Sequence, residues 1–171
     1  MDELIKEAKT GNPDAFTQLM QSQMQNMYKT ARAILHNDED AADAISDTIL
    51  VCWEKMGQLK HESYFRTWMT RILINKCNDI LRKRMEFCSV EKTPETSSCD
   101  TRFENVEWKE ALYSLDERYR LVIMLYYVEG FKTSEISQIL DMPVSTVRTR
   151  LQRGREQLAE VYDSDRRGQY A

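Results

Sequence analysis

Phe65, Trp68, Met69, Ile72, Leu73, Cys77, Ile80 and Leu81 recur at intervals of three and four residues. That spacing places all eight on one side of an α-helix and would scatter them over both faces of a strand. Two further stretches carry the same period. Phe16, Leu19, Met20, Met27, Ala31, Ile34 and Leu35 form an apolar face over Ala15–Leu35, and Ala42, Ile45, Ile49, Cys52, Trp53 and Met56 form one over Glu39–Met56. Only five Gly and three Pro interrupt 171 residues, and no segment sustains a period of two. The chain is therefore expected to be all-α.

The helical period fails between Phe87 and Glu104, where Ser89, Thr93, Pro94, Thr96, Ser97, Ser98 and Thr101 leave almost nothing to bury. This stretch reads as a flexible linker, 87–104, between two small helical domains, 1–86 and 105–171. Fully extended, it spans about 60 Å, enough for the two domains to engage separated sites.

Helix boundaries follow from punctuation. A short helix, Asp2 to Thr10, ends at Gly11-Asn12-Pro13-Asp14, a stop and restart signal. Asp38 is the expected N-cap of the Glu39 helix, and Asp116 that of a helix ending at Gly130. A short helix, Thr133–Leu140, then precedes the turn Asp141-Met142-Pro143 and a final helix from Val144 to about Tyr162. Ser137, Asp141 and Val147 occupy the small, turn and packing positions of a helix-turn-helix. The polar tail from Asp163 is expected to fray.

Several function classes are excluded at this level. The longest apolar run, Leu121 to Val128, is far short of the roughly 20 residues that cross a bilayer. The N-terminus lacks a basic and then apolar signal, so a cytoplasmic chain is expected. Cys52, Cys77, Cys88 and Cys99 form no CxxC, and only His36 and His61 could assist them, so no metal or cofactor is expected. Cys52 and Cys77 read as reduced core residues, while Cys88 and Cys99 lie in the polar stretch.

Two surfaces suit nucleic acid. On the final helix Arg148, Thr149, Gln152 and Arg153 project near its N-terminal half, where a groove-docked helix meets base edges, while Arg150 and Arg155 suit phosphates. On the Phe65 helix Arg71, Asn75, Asn78 and Arg82 form a polar stripe opposite the apolar one, alongside Arg66, Thr70 and Lys83. A third surface is acidic: Asp40, Asp43, Asp47 and Glu54 line the polar face of the Glu39 helix.

The chain resembles the extracytoplasmic-function group of bacterial sigma factors. The resemblance rests on Asp40-Ala41-Ala42-Asp43-Ala44-Ile45-Ser46-Asp47-Thr48, on Phe65-Arg66-Thr67-Trp68-Met69-Thr70-Arg71-Ile72 with Asn75 and Asp79, and on Ser145-Thr146-Val147-Arg148-Thr149-Arg150-Leu151 with Arg153 and Arg155. It implies a transcription initiation factor, not an enzyme, with region 2-like and region 4-like domains. Asp40, Asp43, Ser46 and Asp47 would dock on a coiled coil of core RNA polymerase. The family usually has Gln and Glu where this chain has Ser46 and Asp47. The loop Gln58 to Tyr64, with His61 and Tyr64, and then Arg71, Asn75, Asn78 and Arg82, would open the downstream promoter element and hold an extruded base. Arg148, Thr149, Arg150, Gln152, Arg153 and Arg155 would read the upstream element. The resemblance also implies an anti-sigma factor, often membrane-bound, which would hold the chain at the membrane.

A stand-alone repressor would share the helix-turn-helix but needs a dimer seam, and no heptad repeat provides one, so a monomer is expected. A magnesium-dependent prenyl-type synthase would use Asp40, Asp43 and Asp47. It lacks a facing carboxylate set, and the chain is too short for a substrate cavity, so no small-molecule substrate is expected. A simple adaptor leaves the recognition helix unexplained. Net charge is −4, yet it is unevenly spread. Residues 61–86 carry six basic against three acidic residues and 132–171 seven against six, while 1–60 carry six against ten and 87–131 five against nine. The acidic average conceals two DNA-facing surfaces and predicts weak binding to DNA by the free protein.

Overall fold

The computed structural model describes residues 1–88 and 111–168. The expected linker from Ser89 onward, including Cys99, lies outside these residues. The chain divides into two compact units, Met1–Ser97 and Ser98–Ala171.

The first unit holds α1 (Asp2–Lys9), α2 (Pro13–Leu35), α3 (Asp38–Lys55) and α4 (Phe65–Cys88), with short 3-10 turns at Met56–Gln58 and Glu62–Tyr64. Asn12 starts α2: its side-chain oxygen accepts from Asp14 N at 3.0 Å and Ala15 N at 3.2 Å, with Pro13 in the first helical position. The helix ends on His36 in the left-handed region, φ 60°, a conformation that closes a helix by turning the chain away. Helices α2, α3 and α4 pack on one another, and α1 lies along α2. Phe16, Leu19, Met20, Met27, Ile34, Phe65, Met69, Leu73 and Cys77 are buried as their spacing predicts. Each large apolar side chain so buried contributes about 1.5–3 kcal/mol. Cys52 and Cys77 are free and buried, and burial pushes both thiols up to about 12.

Four details of this unit differ from expectation. The N-cap of α3 is Asn37, not Asp38: Asn37 Oδ1 accepts from Asp40 N at 2.8 Å. Asp38 is drawn elsewhere, to Arg32 Nε at 3.0 Å and the Tyr28 hydroxyl at 2.7 Å. The buried face of α3 comprises Ala41, Ala44, Ile45, Thr48 and Cys52, while Ala42 is exposed, Ile49 half-buried and Trp53 43% exposed. Because α3 contacts both α2 and α4, its inner face is rotated toward small residues that admit close approach. Trp53 remains at the rim, edge-on to Phe16 at 5.0 Å. Thr70, expected on the polar face of α4, is buried. Finally, α4 continues to Cys88, beyond the expected end near Arg84.

Among the described residues, the second unit comprises helical residues 111–114, α5 (Glu117–Ile123), α6 (Thr133–Leu140) and α7 (Val144–Gly168). Asp116 caps α5, accepting from Arg118 N at 3.1 Å. The same carboxylate binds the Arg118 side chain, which holds its pKa below the usual range. The expected single helix to Glu129 is broken by a wider turn at Met124–Val128, where Glu129 N donates to Met124 O at 3.0 Å across five residues. Gly130, at φ 72°, ends the segment. Arg120, buried, donates to the carbonyls of Leu112, Tyr113 and Leu115 at 3.0, 3.0 and 2.7 Å. It thereby satisfies acceptors at the end of the preceding helical turn. Helix α7 runs to Gly168, six residues past the expected end. Nothing among residues 163–167 is Gly or Pro, so nothing there breaks it.

Candidate nucleic-acid and protein interfaces

The helix-turn-helix geometry is set by three residues. Asp141 takes the left-handed conformation, φ 52° and ψ 50°, that turns the chain between α6 and α7. Such a backbone favours Gly and tolerates Asp better than most side chains. Ser137 Oγ donates to Met142 O at 2.6 Å, tying α6 to the turn. Val147 is fully buried with Ile136 and Ile139, and α6 packs on α7.

On α7, Leu151 and Leu158 continue the buried side. Arg148, Thr149, Gln152 and Arg153 are exposed, Arg150 is half-buried and Arg155 exposed. Gln152 Nε2 donates to Glu156 Oε1 at 3.0 Å, and Arg155 Nε to Leu151 O at 3.3 Å. These contacts orient side chains along the helix while leaving hydrogen-bonding capacity outward. Gly154, absent from the sequence-level reading, lies against α5. A Cβ there would stand 2.8 Å from Ile123 Cγ1 and 3.3 Å from Tyr119 Cβ. A glycine in the helix interior, between Arg153 and Arg155, was the available signal.

In the first unit Arg71, Asn75, Asn78 and Arg82 are exposed on one face of α4. Arg82 pairs loosely with Asp79 at 3.4 Å, one turn away and mostly exposed. The segment before α4 brings His61 and Tyr64 together, their rings edge-on at 5.9 Å. Tyr64 is half exposed, whereas Phe65 is buried and unavailable for stacking on a base.

The acidic positions converge. Asp40, Asp43, Ser46 and Asp47 line one open groove of about 440 Å³ with Ile80, Lys83 and Arg84 of α4. Arg84 Nη2 lies 2.6 Å from Asp40 Oδ2, and Lys76 Nζ 3.7 Å from Asp47 Oδ2. The groove is therefore acidic on its α3 wall and basic on its α4 wall. Asp40 is largely covered, its second partner being Asn37 Nδ2 at 2.8 Å, so Asp43, Ser46 and Asp47 form the outward part. Sequence periodicity identified the carboxylates but not their cationic partners, which only the packing of α4 on α3 supplies.

Among the described residues no helix is long and apolar enough to cross a membrane. Two models of one family match the chain, sigma-70 region 2 over residues 19–86 and sigma-70 region 4 over residues 106–158. The chain is 28% identical to the ECF RNA polymerase sigma factor SigW of Bacillus subtilis, over 90% of this chain and 92% of that one. It is 27% identical to the RNA polymerase sigma factor CnrH of Cupriavidus metallidurans, over 95% and 94%. The structure of CnrH in complex with the cytosolic domain of CnrY superposes with a TM-score of 0.71 at 27% identity, covering 96% of this chain and 97% of CnrH. The sigma factor RpoE of Bartonella quintana, solved with the anti-sigma factor NepR, shares the fold at a TM-score of 0.77 and 22% identity, over 88% and 98%.

Proposed function

The chain belongs to the extracytoplasmic-function group of the sigma-70 family, and we propose that its two units divide promoter recognition between them. Asp43, Ser46 and Asp47 dock on core RNA polymerase, with Asp40 behind them. His61 and Tyr64 capture a base extruded from the downstream element, and Arg71, Asn75, Asn78 and Arg82 hold the adjoining strand. Arg148, Thr149, Gln152 and Arg153 read the upstream element in the major groove, with Arg150 and Arg155 on phosphates.

The family is a non-catalytic one. In this reading the chain acts as a monomeric cytoplasmic binding factor without a cofactor, and polymerase supplies the chemistry. Docking and DNA contact use different sides of α4. Ile80 and Arg84 face the groove, and Asn75, Asn78 and Arg82 lie about half a helical turn away. The first unit can therefore hold polymerase and promoter at once. That separation is the observation that carries the reading. CnrH is solved with the cytosolic domain of CnrY. In our reading an anti-sigma factor, held at the membrane, would occupy these surfaces here until a signal releases the chain.

Run-off transcription with core polymerase on a genomic promoter library tests the reading. Specific start sites absent with core alone are expected. No start sites above the core background would overturn it.

A further inference from the structure

Helix α1 has no part in the reading above, and it lies outside the residues that match sigma-70 region 2. It nevertheless packs against both 3-10 turns that frame the segment between α3 and α4. Ile5 and Ala8 are buried on its inner face. At its last residue, Lys9 Nζ donates to Glu62 Oε1 at 2.9 Å, across 53 positions of sequence. Both side chains are partly covered, at 23% and 29% exposure, so solvent screens this pair less than a fully exposed one. Hydrogen bonding from Lys9 also holds the Glu62 carboxyl below its ordinary pKa.

Glu62 opens the three-residue turn that ends at Tyr64. Such a turn has little internal stability, because few backbone bonds hold it. Here Tyr64 N donates to His61 O at 3.2 Å. Its orientation is therefore set by its flanks. On the C-terminal side the anchor is Phe65, buried at the start of α4. On the N-terminal side it is the Lys9–Glu62 pair. Between the anchors lies the half-exposed Tyr64, and His61, the residue just before Glu62, meets it edge-on.

We propose that Lys9 and Glu62 are positioning residues for promoter opening: through their ion pair, α1 braces the Glu62–Tyr64 turn and holds His61 and Tyr64 in the pose that receives an extruded base. The inference rests on the assignment of this segment to base capture. A partly exposed ion pair biases a pose by a small factor, about two- to fivefold, so the brace tunes opening and does not switch it.

The test uses full-length chain assembled with core polymerase, on a promoter whose start site has been mapped. Opening is read as permanganate reactivity of thymines in the downstream element, and assembly as affinity for core polymerase. Lys9→Ala and Glu62→Gln should each lower opening about two- to fivefold while core affinity stays unchanged, and Lys9→Arg should restore opening. In a Tyr64→Ala background, Lys9→Ala should add no further loss. Equal losses in core affinity and opening would reduce the pair to a stabilising contact and overturn the proposal. Normal opening by Lys9→Ala, with strong loss by Tyr64→Ala, would overturn the brace and leave base capture standing. Unchanged opening by Tyr64→Ala would remove base capture from this segment, and the brace with it.

Discussion

Gly154→Ala sets two effects of known size against each other inside the recognition helix. Ala is favoured over Gly in a helix interior by about 1 kcal/mol. On an open helix face the substitution would stabilise the second unit. Here the new methyl would sit 2.8 Å from Ile123 Cγ1, 3.1 Å from Ile123 Cδ1 and 3.3 Å from Tyr119 Cβ. The shortest of these falls about 0.7 Å inside an ordinary carbon–carbon contact. Neither neighbour can give way cheaply. Ile123 is fully buried and stiff at its branched Cβ, and the Tyr119 atom is bonded directly to the backbone of α5. Overpacking of this kind costs about 1–3 kcal/mol, partly offset by the gain in propensity, so a net loss of about 1 kcal/mol is expected. For a unit of this size that lowers its melting temperature by roughly 4–8 °C. Thermal unfolding of the full chain, followed by circular dichroism, measures the shift. Ile123→Ala removes the closest contact, and in that background Gly154→Ala should become neutral or stabilising. A rise in melting temperature from Gly154→Ala alone would refute the close approach of α7 to α5.

Arg120→Ala strips three backbone carbonyls of their donor and should cost the second unit about 2–4 kcal/mol in urea unfolding. Arg120→Lys should recover only a fraction, since one ammonium cannot reproduce the planar fork. Asp40→Ala and Arg84→Ala each break the pair across the α3–α4 groove. The double variant should be no worse than either single one in core-polymerase affinity, which a double-mutant cycle would establish. Cys52 and Cys77 stay protonated in the folded chain to a pH of about 12, whereas unfolded thiols ionise near 8.5. Their contribution to stability is complete below that unfolded value. It should fall between about pH 8.5 and 12 by up to about 1.4 kcal/mol per pH unit for each thiol. Denaturation of Cys52→Ala and Cys77→Ala variants across this range should show a shallower fall.

Most of the helical framework was legible because single residues dictate it locally. Asn12-Pro13 and Asp116 start helices, Gly130 and Asp141 end them, and the three-four spacing from Phe65 identifies the core side of α4. Asp141 was readable as the turn residue of the helix-turn-helix from its place between two helical patterns, and it takes the left-handed conformation there. The capping of α3 was not, since Asn37 and Asp38 are both competent caps. Arg32 and Tyr28 decide between them by engaging Asp38. Nor could periodicity rank Ala41 and Ala44 above Ala42 as buried positions, because α3 packs on two helices at once. The same limit hid the wider turn at Met124–Val128 within an uninterrupted apolar run. At the candidate surfaces, the outward residues of α7 and the carboxylates of α3 were visible in sequence. Their cross-helix partners Arg84 and Lys76, and Lys9 on Glu62, lie 29 to 53 positions away and follow only from packing.

In the proposed function, two separate surfaces read two promoter elements once polymerase holds the chain. Footprinting on one mapped promoter, with and without core polymerase, tests it most directly. Protection of both elements is expected only when core polymerase is present. Arg148→Ala and Arg153→Ala should each weaken the upstream contact by about 1–3 kcal/mol and relax its sequence preference, without altering preference at the downstream element. Equal protection of both elements by the purified chain alone, or upstream selectivity unchanged in both arginine variants, would contradict it.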